Sequence, residues 1–195
     1  MMRLAVLIIS IMVLAACATP EKTNFYVLSS ESPPPVKAVS KPEYRVVIEP
    51  ATLPEALDRP QIVLRVAPNR YSISDAERWS ESLKREIPRV IAEAVGQQLP
   101  VAHVAVDLQQ GGQGADYFVL IDVLRFESVP GDSITLEAAW SVRNRSGKRL
   151  REARSVLVEK VANPGVAPLI SAHAKALNAL GLKIAHAINS IVHEQ

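Results

Sequence analysis

The sequence predicts an α+β domain: a mostly antiparallel sheet with two long helices packed on one face. Three observations predict it. Between residues 101 and 161, strand-like runs are cut by Pro130-Gly131-Asp132 and Ser146-Gly147, the pattern of a meander. Two other stretches, opening near Ser74-Asp75 and at Ala167, repeat apolar residues at three- and four-residue steps, the period of one helix face. Prolines at 33–35, 50, 54 and 60 exclude helix between the short runs of the N-terminal third.

In chain order, Phe25 to Ser29 reads as a short first strand. Glu31 to Pro42 is a surface loop, in which Pro33-Pro34-Pro35 favours extended polyproline backbone. Tyr44 to Glu49 is a strand, Pro50 to Pro60 a loop, and Gln61 to Val66 and Tyr71 to Ser74 are strands joined by Pro68-Asn69-Arg70. Ser74 caps the first helix, with Asp75 and Glu77 in its first turn, where the helix dipole favours acids. Trp79, Leu83, Ile87, Val90, Ile91 and Ala94 form its stripe, and Pro88 predicts a bend or break near Lys84 to Ile87. Gly96 to Pro100 ends it.

Val101 to Leu108 alternates, and Gln109 to Gly114 is a glycine-rich loop. Tyr117 to Phe126 is apolar on both faces, which implies a central, covered strand. Next, Ile134, Leu136, Ala138, Trp140 and Val142 alternate with Thr135, Glu137 and Ser141, so one sheet face is wet. Arg151 to Val161 completes the meander. Asn163-Pro164-Gly165 precedes the last helix, Ala167 to Val192, striped by Leu169, Leu177, Leu180, Ile184, Ile188 and Ile191. Its alanine-rich flanks are nearly uncharged, and a helix apolar beyond one stripe packs on more than one side. That width predicts self-association with this helix at or near the contact, the alternative being a helix that lies deep in the monomer core. Glutamate at Ala176, Ala179 or Ala187 would test it.

Residues 1–16 read as a signal peptide: Arg3, an apolar run from Leu4 to Leu14, then small residues. The run is too short to span a ~30 Å hydrocarbon core. Leu14-Ala15-Ala16-Cys17 resembles the bacterial lipobox, so Cys17 is the expected lipidation site, carrying N-acyl and S-diacylglycerol chains. Residues 17–24 are then a lipidated tether and 25–195 the folded domain. Ala18 after the cysteine favours the periplasmic face of the outer membrane. Cys17 is the only cysteine, which excludes an intramolecular disulfide. The formal charge of +2 gives no argument for nucleic acid.

No Gly-x-Ser-x-Gly elbow, Gly-Lys-Ser/Thr phosphate loop or His-Glu-x-x-His zinc motif occurs. His186 and His193 lie seven apart on the last helix and read as surface or oligomer-facing residues. Asp107, Asp116 and Asp122 read as solvated strand ends. The sequence therefore predicts neither catalytic nor metal-ligating residues and no cofactor beyond the lipid. Arg143, Arg145, Lys148, Arg149, Arg151 and Arg154 crowd one hairpin. Such a patch suits anionic headgroups or an acidic partner, or else a solvated tip that resists edge pairing.

Leu53-Pro54, Leu57-Asp58-Arg59-Pro60-Gln61-Ile62-Val63-Leu64-Arg65 and Glu77-Arg78-Trp79 resemble the ABC-type transport auxiliary lipoproteins of the PqiC type. Phe25-Tyr26-Val27-Leu28, Asp122 to Glu127 and Trp140 extend the resemblance along the mature chain; Glu55-Ala56 departs from it, where an aromatic is common. The resemblance implies a non-catalytic outer-membrane lipoprotein of a transenvelope lipid transport system that supports membrane integrity. Its implied partner is a periplasm-spanning MCE-domain protein. Asp58, Arg59 and Pro60, with Arg143, Arg145, Lys148 and Arg149, are the candidate partner or membrane contacts. Two other readings stand beside docking: a carrier that holds acyl chains itself, and a periplasmic hydrolase.

Overall fold

The computed structural model describes residues 22–29, 43–106 and 114–194. The residues 1–16 read as a signal peptide, Cys17, the triple proline and most of the glycine-rich loop lie outside them. Among the described residues the order is β1 (Asn24–Tyr26), β2 (Tyr44–Ile48), β3 (Gln61–Ala67), β4 (Arg70–Trp79), α1 (Leu83–Gln98), β5 (Ala102–Val106), β6 (Tyr117–Val129), β7 (Ser133–Asn144), β8 (Arg149–Lys160) and α2 (Val166–His193). One sheet runs β5-β2-β6-β7-β8 and a smaller one β1-β4-β3. Both helices cover the same face of the larger sheet. α1 lies over β2 and β5, α2 over β7 and β8, and the helices touch.

The class is α+β with two long helices, as expected, and the sheets are mixed rather than purely antiparallel. β2 runs parallel to β5 and β6, and β1 parallel to β4. The crossover from β2 to β5 contains α1, the long connection that parallel pairing needs.

The first helix starts eight or nine residues later than its apolar stripe predicts. Ser74 to Trp79 belong to β4, a ten-residue strand pairing with β3 on one side and β1 on the other. Those two ladders outweigh the local cap signal at Ser74. Ser82 caps α1 instead, its hydroxyl accepting the Lys84 N–H at 3.3 Å. Trp79 is core as expected, but from a strand: its ring lies 6.3 Å from that of Phe126. The later start also places Pro88 in the second turn of one continuous helix, so the expected break is absent. Its missing N–H deprives only the Lys84 carbonyl of its usual donor.

β6 is central, yet only one of its faces is covered. Tyr117, Val119, Ile121 and Val123 are buried, whereas Leu124 on the other face is exposed. The register against β7 then shifts between Val123 and Arg125. That bulge returns Phe126 to the core face, although simple alternation from Leu124 places it opposite.

On α2 the expected stripe is buried from Leu169 to Ile191, and His173 completes it. Ala172, Ala174, Ala176 and Ala185 are also buried within the protomer. Much of the alanine flank is thus packed within the protomer, and toward α1 Gly181 faces Ala94. Glutamate at Ala176 therefore tests folding rather than assembly.

The N-terminal strand is strapped down at two points. The Ser80 N–H donates to the Tyr26 carbonyl at 2.8 Å. Beyond it, the Leu28 N–H donates to Glu86 Oε2 at 3.1 Å, and Arg89 reaches the Leu28 carbonyl. Glu86 is buried and paired with Arg89 at 3.1 Å.

Candidate functional site

The loop from Pro50 to Pro60 is held at both ends. The Thr52 N–H donates to the Ile121 carbonyl and the Val123 N–H to the Thr52 carbonyl, fixing the loop on β6. At the far end Trp79 N–H donates to the Pro60 carbonyl at 2.7 Å, and Lys84 Nζ meets Asp58 at 2.6 Å. A 3-10 turn at Glu55–Leu57 projects Leu57 toward the β3–β4 hairpin.

Between this turn and the hairpin lies a groove of about 240 Å³. Leu57 and Arg59 form one wall, Val63, Tyr71 and Ile73 the other, and Leu124 the floor. Leu124 faces outward by plain alternation from the buried Val123. Tyr71, Ile73 and Leu124 are all exposed apolar side chains. An ion chain runs along the groove's edge and across the sheet. Arg65 meets Glu127 at 3.1 Å, Arg125 meets Glu137 at 3.1 Å, and Arg154 closes the chain on Glu137. The Tyr71 hydroxyl donates to Glu127 Oε1 at 3.1 Å. Burial raises the Tyr71 pKa, and the bond to Glu127 raises it further. The Arg154 hydrogen bond, with the flanking charges, holds the Glu137 carboxyl below its ordinary range. Arg125 Nε is buried without a hydrogen-bond partner.

Asp58, Arg59 and Pro60 are exposed; Arg59 borders this groove. The basic hairpin is elsewhere and largely self-neutralised. Arg145 pairs with Asp116 at 3.1 Å, Arg149 with Glu152, Arg151 with Glu194 at 3.9 Å, and Arg154 with Glu137. Arg143 and Arg149 line a second, shallower hollow of about 290 Å³ with Glu49, Asp122 and Glu152. Lys148 is exposed near the turn. The structure thus does not merge the two sets of predicted contacts into one patch. Sequence reasoning missed Tyr71, Ile73 and Leu124. Leu124 reads as part of a strand covered on both faces, and Ile73 as ordinary strand.

A serine and a histidine do meet. Ser128 Oγ and His173 Nε2 are 2.8 Å apart, and the imidazole stacks on Phe126 at 3.8 Å. His173 is fully buried, its Nδ1 has no partner, and burial pushes its pKa down to about 3. With no carboxylate behind the ring and no path to solvent, this pair is a core contact rather than a nucleophile and its base. Among the described residues no group of three His, Cys, Asp or Glu side chains converges to hold a metal. None of their helices is long and apolar enough to cross a membrane.

An open groove with an apolar lining and charged rim, beside a sealed core, defines a domain suited to binding another molecule. The chain belongs to the ABC-type transport auxiliary lipoprotein component family, whose model matches residues 26–185. It is similar in structure to a crystallised uncharacterized protein, with TM-score 0.71 and 17% identity over 86% of this chain and 99% of that one. Protein XCC0632 from Xanthomonas campestris is also similar, with TM-score 0.68 and 16% identity over 88% of this chain and 99% of that one. At such identities these likenesses speak to fold alone. No curated protein matches the chain. The protein is therefore a lipoprotein component of a transport system.

Proposed function

We propose that this lipoprotein is anchored through Cys17 to the periplasmic face of the outer membrane, where it seats a periplasm-spanning MCE-domain partner of a lipid transport system. In this reading copies of the chain assemble around the partner, and the domain itself carries no catalytic step. The observation that carries the docking is the groove of Leu57, Val63, Tyr71, Ile73 and Leu124, rimmed by Arg59, in a member of a transport auxiliary family. Arg143 and Lys148 add positive charge for an acidic stretch of the same partner. Arg145 and Arg149 already hold acids.

At this groove, docking is favoured over acyl-chain carriage by size. The groove's 240 Å³ falls below the ~300–1,000 Å³ of pockets that enclose a drug-sized ligand, and a two-chain phospholipid is larger still. The test is photo-crosslinking in native membranes, with the crosslinker at position 73 or 124 of the full-length protein and position 158 as control. An MCE-domain protein captured from 73 and 124 but not 158 is the expected outcome. Equal capture from all three, or capture of this chain alone, would sink the docking site.

A further inference from the structure

Strand β1 and the residues just after it present two apolar side chains that the fold does not use. Tyr26 and Leu28 point inward, Leu28 being fully buried, and by alternation Phe25 and Val27 point out. Phe25 is 66% exposed, the highest value among the exposed large apolar residues, and Val27 is 49% exposed. Phe25 stands opposite Arg78 in the parallel register with β4, so the ring and the guanidinium share one face of the small sheet. Arg78 is partly exposed, with Asp75 at 3.8 Å, and Lys22 is exposed just before the strand.

We infer that Phe25 and Val27, flanked by Lys22 and Arg78, form a second, shallow contact with the phospholipid surface that holds the lipid anchor. This rests on Cys17 being the lipidated residue. Cys17 and Asn24 are seven residues apart. At ~3.6 Å per residue the β1 end then lies within about 25 Å of the anchor, whatever path residues 18–21 take. A domain of this size is ~40 Å across, so the anchor cannot reach round to the far side. β1 therefore lies within about 25 Å of the bilayer surface, on the side of the domain nearer the anchor. Its strapping through Tyr26 and Leu28 fixes which side chains look outward. An exposed aromatic and a valine beside cationic groups is the composition of an interfacial anchor, apolar atoms entering the headgroup boundary and cations meeting anionic lipid.

The test uses the full-length lipidated protein in vesicles of phosphatidylethanolamine and phosphatidylglycerol. Lipidation occupies Cys17, so Phe25→Cys, Val27→Cys or, as control, Val158→Cys supplies one free thiol for an environment-sensitive fluorophore. Spin-labelled lipid should quench the probes at 25 and 27 by about half or more and leave 158 unchanged. Raising salt should weaken that quenching in Phe25→Cys. Quenching at 25 no greater than at 158 overturns the inference. So does a blue-shifted probe at 25 that spin-labelled lipid does not quench, which marks a protein cover such as a second copy. Protein whose Cys17 takes up no labelled acyl chain overturns the anchoring reading instead, and mass spectrometry of the N-terminal peptide separates that failure from the others.

Discussion

Gly181 is where α2 comes closest to α1. A methyl group there would lie 2.5 Å from Ala94 Cβ and 3.2 Å from the Ile91 carbonyl oxygen. Alanine is ordinarily the better helix former by about 1 kcal/mol. Overpacking a tight core costs about 1–3 kcal/mol, so the clash should win. We predict that Gly181→Ala lowers the denaturation midpoint and that adding Ala94→Gly restores part of it, since the two sites share one contact. His173 predicts a pH dependence. Its folded pKa of about 3 lies below its ordinary 6.5, so between those values the unfolded chain binds the extra proton. Stability is therefore full above pH 6.5 and falls as the pH drops toward 3, by up to ~1.4 kcal/mol per pH unit. Chemical denaturation at pH 7 and pH 5 should show a flatter dependence in His173→Gln. An identical dependence in both proteins would mean the imidazole is not buried neutral.

β4 is the element on which sequence and structure part, and proline separates the two readings. In a helix capped by Ser74, proline at position 78 would forfeit only the first intrahelical bond, to the Ser74 carbonyl. Arg78 instead pairs with Phe25 on one side and Gln61 on the other, at the centre of a three-stranded sheet. Arg78→Pro should therefore cost clearly more than Arg78→Ala, by ~1–3 kcal/mol for the ladder bond left open, read from urea midpoints. The reason that stretch was illegible is physical: Ser-Asp-Ala-Glu-Arg-Trp carries acids and a cap residue that suit a helix start, and only partners far along the chain make it a strand. The meander from Tyr117 to Lys160 and the helix Val166–His193 were legible because turn residues and periodicity agree there. Even in the meander, the bulge at Leu124 escaped, since one extra residue inverts every later side chain without changing composition. Of the candidate groove, only Arg59 stood out in the sequence.

At the scale of the whole molecule, the anchor and the assembly are directly measurable. Labelling cells with a palmitate analogue should mark the wild type and not Cys17→Ala; equal labelling would remove the outer-membrane placement. Light scattering on the detergent-solubilised protein should return a multiple of the protomer mass, whereas a protomer mass at tens of micromolar would end the oligomer reading. Because Ala176 is buried and Ala179 and Ala187 only partly so, the informative surface on α2 is Leu182, 47% exposed. Leu182→Glu should lower the oligomer mass if that helix contributes, while far-ultraviolet circular dichroism stays unchanged.

The parallel position of β2 carries a kinetic consequence. Tyr44 pairs with Ala102, and Val46 pairs with Tyr117. A strand laid down early is thus walled in on both sides by strands translated 58 and 71 residues later. Such long loop closures slow folding and leave early edges open meanwhile. If the chain is threaded across a membrane amino end first, nearly 120 residues must emerge before β2 is closed in. If Cys17 is acylated during that passage, the modification acts on an unfolded polymer, and the tethered segment stays exposed until its late-arriving neighbours zip it shut.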